Sequence, residues 1–376
     1  MIKKLVSIIF CFLFCCFITG CKHNENKIII KYATWGSASE MQIIKPLIKN
    51  YEKEHPDIKI ELMHIPQDYF KKIHLLFASN MAPDIVFMNN LNLPVYSKYL
   101  IPLDDCINKD DYYQQAIASM SINTTLYAIP RDTSTLVIYY NKTIFDKYGI
   151  KYPDENWKME DLITKSKQLT KKNIYGISYE PKIYYALPYL KYYNGGIFDK
   201  NGKYIFNKTN SQKGYALYQK LSHTYHIAPT EAEIGSKTVA QMFIEGKLAM
   251  HLSGRWMVPK YREVITFDWD VINFPNYSAP SDTSGWSITK TSRHKKEAID
   301  FVKYISSEKN ITKMTTDGLI VPSLKKVACS QTFKNGMPKH SKIFTKSVEN
   351  SKITNITKEY NKIIDQLNDM LFISKL

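Results

Sequence analysis

Cysteine is scarce where it would shape a fold. Six occur in 376 residues, but Cys11, Cys15 and Cys16 lie in an apolar leader and Cys21 closes it, leaving Cys106 and Cys329 in the body of the chain. Two distant cysteines make no disulfide framework, and without a C-x-x-C pair beyond the leader the common structural zinc spacings are excluded. Two buried free thiols are expected. Signatures of catalysis are missing as well: there is no G-x-S-x-G elbow, no H-E-x-x-H, no G-x-x-x-x-G-K-[ST] phosphate loop and no G-x-G-x-x-G. His223 and His226 stand at i, i+3 without a nearby third ligand, so no metal site is assigned. Asp104-Asp105 and Asp110-Asp111 read as solvated loop or helix-start charges. No catalytic residue and no cofactor is called for. After the leader there is no internal repeat, no low-complexity tract and no second membrane-spanning run.

What is present begins with an address. Lys3 and Lys4 give a basic start, Leu5 to Ile18 is almost wholly apolar, and Ile18-Thr19-Gly20-Cys21 ends the run. The run falls short of the ~20 residues a bilayer span wants, and the pattern is that of a secretory signal. Small residues before a cysteine resemble the bacterial lipoprotein cleavage box, which implies removal of residues 1–20 and a lipid on Cys21, with residues 21–27 as tether. The protein is thus expected on the extracytoplasmic face of the cell membrane, extracellular or periplasmic. Loss of Lys3 and Lys4 lowers the formal charge from +16 to +14. Because Lys and Arg are spread singly or in pairs among acidic residues, this charge reads as a solvated basic surface, not a nucleic-acid site. Closeness to anionic headgroups and an anionic ligand are the alternatives.

The mature length suits two domains. Lys27 to Trp35, with three consecutive isoleucines, predicts a strand buried on both faces. Ser37-Ala-Ser-Glu40 fits a capping box, and Met41, Ile44, Leu47, Ile48 and Tyr51 form a helical stripe that ends before Pro56. Ile58, Ile60 and Leu62 alternate as a strand, a helix from about Tyr69 to Ser79 follows, and Pro83 to Met88 gives a third strand, which together make a doubly wound start. Further on, Thr135 to Tyr140 and Ile174 to Ser178 read as strands, and Met159 to Thr170 and Tyr215 to Thr224 as helices. Trp157 and Trp269 suit packing.

Several ordered segments carry a more specific signal. Trp35-Gly36, His55 to Ile60, Ala82 to Phe87, Tyr127-Ala128-Ile129-Pro130 leading to Tyr139 through Phe145, Asn194-Gly195-Gly196, Phe243 to Met250, Gly254-Arg255-Trp256 and Gly285-Trp286 follow one another in this order. In this order they resemble the family 1 extracellular solute-binding proteins of ABC importers, the group that includes maltose-binding proteins. The resemblance implies an α/β, two-lobed periplasmic-binding-protein fold of type II. It implies a first lobe of residues 28–131 and 285–317, a second of 132–284 and 318–376, and crossings near 131–136, 283–287 and 317–323. A carbohydrate held unaltered between lobes that close by hinge motion, and permease subunits as partners of a monomer, follow from it. A secreted glycan-active enzyme, or a sensor or adhesin on the same fold, are the alternatives.

Sugar recognition needs flat apolar faces and a few fixed polar groups. The residues expected to supply them are Trp35, Ser37, Asn89, Asn90, Arg131, Asp132, Tyr185, Asn194, Gly196, Arg255, Trp256 and Trp286, with Tyr184 as a further face. Basic charge and sparse glycine, 14 in all, set the chain apart from a typical sugar binder. Arg131 and Arg255 would serve a phosphorylated or acidic sugar.

Overall fold

A computed structural model describes residues 27–373 apart from 317, 352, 353, 355 and 358; the leader and Cys21 lie outside them. The isoleucines open strand β1, Ile28–Thr34, where β-branched side chains suit an extended, covered strand. Ser37 accepts from the Glu40 amide at 3.2 Å to cap the helix Ala38–Glu54, whose stripe of Met41, Ile44, Leu47, Ile48 and Tyr51 is buried. Strand β2, Ile58–His64, returns parallel to β1 with Ile58 opposite Ile28. After the helix Tyr69–Ala78, strand β3, Ile85–Asn89, pairs in parallel on the other side of β1. The expected doubly wound start is therefore present.

The rest of this sheet comes from far along the chain. Its order is β2-β1-β3-β10-β6, with β6 Ile129–Thr135 and β10 Ser281–Ile288, and β10 runs antiparallel to both neighbours. Between β3 and β6 a two-stranded turn pairs β4, Ser121–Ile122, with β5, Thr125–Leu126. The strand expected from Thr135 to Tyr140 is divided. Strand β6 ends at Thr135, and beyond Leu136 strand β7, Val137–Asn141, enters a second sheet between β8, Met250–Ser253, and β9, Trp269–Asn273, antiparallel to both. Ile174 to Ser178 forms no strand: Tyr175 makes one isolated bridge to Leu248, and the Ser166 backbone crowds Gly176.

Two lobes follow from this division. Apolar layers cover both faces of the first sheet, one holding Ile30, Leu47, Phe87 and Phe301 and the other Ala33, Ile73, Val86 and Met88. A separate core holds Tyr139, Leu162, Tyr189 and Phe243 with Trp157 and Trp269, the latter pair in the packing positions expected. Leu319, Ile320 and Val327 join the first lobe's core, whereas Ala328, Phe333 and Phe344 join the second's. Segment 321–323 runs beside β6, with the Thr133 amide donating to Val321 O at 3.0 Å and the Ser323 amide to Arg131 O at 3.1 Å. Cys106 is half-buried and Cys329 exposed, both free. Full burial, expected of both thiols, is met by neither: Cys106 is only partly covered and Cys329 caps the short helix Lys325–Ala328 at its exposed end. Among the described residues no helix is long and apolar enough to cross a membrane.

Candidate functional site

The strands that join the lobes also build the floor of a cavity of about 290 Å³. In the β6–β10 ladder Asp132 faces Ser284, Thr133 faces Thr283 and Ser134 faces Asp282. Because strand side chains alternate between faces, Asp132, Ser134, Asp282 and Ser284 share one face, and all four line the cavity. The two threonines face the other way and bond each other through their hydroxyls at 3.0 Å. Asp132-Thr133-Ser134 and Asp282-Thr283-Ser284 are the same tripeptide, paired antiparallel upon itself. The register slips between Ser284 and Gly285, where Pro130 is opposite Gly285, so Arg131 is the extra residue of a β-bulge. A bulge re-aims a side chain, and here it sets Arg131 beside Asp132 on the cavity wall. Gly285 is required at this point because any side chain would strike the Ile129 carbonyl.

The cavity wall carries three carboxylates, Glu40, Asp132 and Asp282, and two guanidiniums, Arg131 and Arg255. The Arg131 guanidinium is buried between two carboxylates, Glu40 and Asp132, with Nε donating to Asp132 Oδ1 at 2.6 Å. Those two charges raise its affinity for the proton further. Glu40 thus turns to Arg131, and of the expected capping box only the Ser37 half is made. Burial pushes the Asp132 carboxyl up more than Arg131 pulls it down. Asp282 is raised to about 6 by burial and by the nearby Asp132, against the hydrogen bond from the Tyr184 hydroxyl. Arg255 contributes to the wall, but its guanidinium lies 4.0 Å from the Phe333 ring centre and 5.0 Å from that of Phe344, and donates to Phe333 O at 3.4 Å. Burial lowers it to about 9, still cationic at neutral pH. Arg131 is therefore no free anion clamp, whereas Nε and Nη1 of Arg255 are buried without a hydrogen-bond partner.

Two aromatic walls face this floor. Trp35 stands at the end of β1 and is fixed by Phe87, Tyr69 and Phe70 at ring distances of 4.5, 5.0 and 5.6 Å. Trp256 comes from the other lobe, is 40% exposed, and folds back over Gly254, where a side chain would collide with its ring. Asn89 lines the cavity and accepts from the Asn92 side chain at 2.9 Å; Asn92 in turn accepts from Asn361 of the C-terminal helix at 2.7 Å.

Of the twelve residues expected from sequence, Trp35, Asn89, Arg131, Asp132, Arg255 and Trp256 meet here. Ser37 caps its helix instead. Asn90 is buried and clamps β10, its Oδ1 accepting from the Thr283 amide at 3.2 Å. Tyr185 turns its hydroxyl to Glu180, and it is Tyr184 that reaches Asp282. Asn194 is an exposed turn residue at φ 56°, while Gly196 is held by Ser211. Trp286 is corrected to a core residue: it is 0% exposed and donates its indole N–H to the Tyr32 hydroxyl at 2.9 Å. Glu40, Ser134, Asp282 and Ser284 were missed, although the repeated Asp-Thr-Ser marked three of them. A larger, more open depression of about 610 Å³ lies beside Cys106, Tyr112 and Lys303. Its apolar lining, Cys106, Ile107, Leu324 and Val327, packs on the first lobe's core, whereas the other cavity draws Trp35 and Trp256 from opposite lobes and is the stronger interlobe site.

Comparison with known proteins agrees with this architecture. The sequence profile of the family described as bacterial extracellular solute-binding protein matches residues 35–312. The galactooligosaccharide-binding protein of Bacillus subtilis is 26% identical over 78% of this chain and 73% of its own length. The multiple sugar-binding protein of Streptococcus mutans is 24% identical over 77% and 74%. In structure, the chain is similar to an ABC substrate-binding protein of Listeria monocytogenes solved with cycloalternan, at TM-score 0.84, 22% identity and 92% coverage of each chain.

Proposed function

The chain belongs to the bacterial extracellular solute-binding proteins, and from that premise we propose that it captures a short carbohydrate in the interlobe cavity and passes it to ABC permease subunits. The observation that carries this reading is the meeting of Trp35 and Trp256, from opposite lobes, over a floor of carboxylates and hydroxyls on the joining strands. Indole faces suit the C–H surface of a sugar ring and the floor suits its hydroxyls. Relatives named for galactooligosaccharides and for multiple sugars support the same ligand class. Closure of the lobes on ligand supplies the signal to the permease. Isothermal calorimetry of the mature chain against neutral and charged mono- to tetrasaccharides tests it, with one site per chain expected and silence across every saccharide ending it.

The protein acts as a monomer held by lipid on Cys21, with the last return to the second lobe after Val327. Supporting these statements are the cleavage-box resemblance of residues 18–21 and the core that Val327 joins. Labelled palmitate should enter the wild-type protein in a bacterial host and not Cys21→Ala. Hydrolysis is the second reading, favoured only by the two carboxylates Asp132 and Asp282 on one cavity floor. Arg131 occupies Asp132, which leaves that carboxylate poorly placed to act as nucleophile or base.

A further inference from the structure

The net charge of the chain, +16, is opposite to that of its cavity. Three carboxylates, Glu40, Asp132 and Asp282, stand on the wall against two guanidiniums, and among the described residues no lysine lines it. The guanidinium of Arg131 is consumed by Glu40 and Asp132, while that of Arg255 lies against two aromatic rings with Nε and Nη1 unpaired. Asp282 is left with the Tyr184 hydroxyl as partner, and among the described residues no cation lies within ion-pair distance of it. Opposite Asp282, the Ser134 hydroxyl is buried on the same wall without a hydrogen-bond partner. A buried carboxylate without a cationic partner is costly, and a ligand cation removes the cost. Trp35 and Trp256 add aromatic faces that also attract a cation.

Resting on the carbohydrate reading above, we propose that the solute is an amino sugar whose ammonium group is received by Asp282 and Asp132, with the Ser134 hydroxyl as a neutral neighbour. Sugar phosphates and uronic acids are the contrary outcome: at Asp282 their anions would meet a carboxylate, and only the unpaired Nε and Nη1 of Arg255 could receive them. The upward displacement of the Asp282 carboxyl agrees with a site waiting for positive charge. Groups facing it are Tyr184 and Tyr360 from two helices, Asp132 and Ser134 from β6, and beyond Asp132 the Arg131 guanidinium.

Matched saccharides decide the matter: mono- and disaccharides of glucose, glucosamine, N-acetylglucosamine and glucuronic acid, titrated calorimetrically into the mature chain. The amine member should bind at least about tenfold tighter than its neutral and acetylated counterparts, the size of one desolvated charge pair. That ratio should shrink in Asp282→Asn and, in the wild type, on going from about pH 7 to about pH 5, as Asp282 takes up a proton. The wild-type pH series keeps the test decisive if the variant does not fold. Equal or weaker binding of the amine, or preference for the glucuronide, overturns the proposal while sugar binding stands. Absence of binding by any saccharide, neutral series included, overturns the carbohydrate reading and this inference with it.

Discussion

Asp282 shows how a single side chain records what the cavity is for. Its carboxyl titrates near 6 in the fold against an ordinary 3.8, so between those values the folded chain keeps a proton that the unfolded chain has lost. Stability therefore falls as pH rises through this window and stays lower above it. Asp282→Asn cannot ionise, and its melting temperature relative to wild type should be higher above about pH 6 than at about pH 4; a difference independent of pH would contradict the assignment. Arg131 is the opposite case, a cation that the fold has fully paired. Arg131→Ala strands Glu40 and Asp132 in the interior and should cost about 3–5 kcal/mol in urea unfolding, far more than a residue kept for ligand alone. Trp256, exposed over Gly254, should behave in reverse. Trp256→Ala should leave the unfolding midpoint nearly unchanged and weaken saccharide binding about tenfold or more, as expected for ~1.5–3 kcal/mol of lost apolar cover.

At the scale of elements, the pairing of β6 with β10 does three tasks at once: it closes the first sheet, joins the lobes and lays the cavity floor. Gly285 lets the strands approach where the bulge forms, and Gly285→Ala should lower stability by about 1–3 kcal/mol through collision with the Ile129 carbonyl. A denaturant midpoint that does not move would show the strands able to part there. The first three strands were legible from residues alone, since Ile28 to Thr34 and Ile58 to Leu62 write their burial in β-branched and alternating residues. The division of β6 from β7 at Leu136 was not, because an unbroken run of strand formers does not say where a chain changes sheets. Trp286 was misplaced for a related reason. One residue beyond the bulge its direction depends on register, and register is set by a partner strand about 150 residues away. Glu40 was hidden by its own motif: Ser37-Ala-Ser-Glu40 describes a helix start completely, and only the fold brings Arg131 within reach. The twin Asp-Thr-Ser tripeptides were in plain view, and their alternation was the signal that could have placed Asp282.

For the whole molecule, a chain of formal charge +16 surrounds a cavity whose carboxylates outnumber its guanidiniums by three to two. Composition cannot show that Arg131 is paired with Glu40 and Asp132, which leaves Arg255 as the guanidinium of the wall with unpaired donors. The Asn89–Asn92–Asn361 chain of amides ties the cavity wall to the C-terminal helix of the other lobe. All of this rests on a solute being held between the lobes and released unchanged. The direct test is to incubate the mature chain with pooled neutral and amino oligosaccharides, recover it by rapid filtration, and weigh what denaturation releases. One saccharide per chain with its mass intact is the predicted result; an empty protein from every pool, or fragments of lower mass, would contradict it.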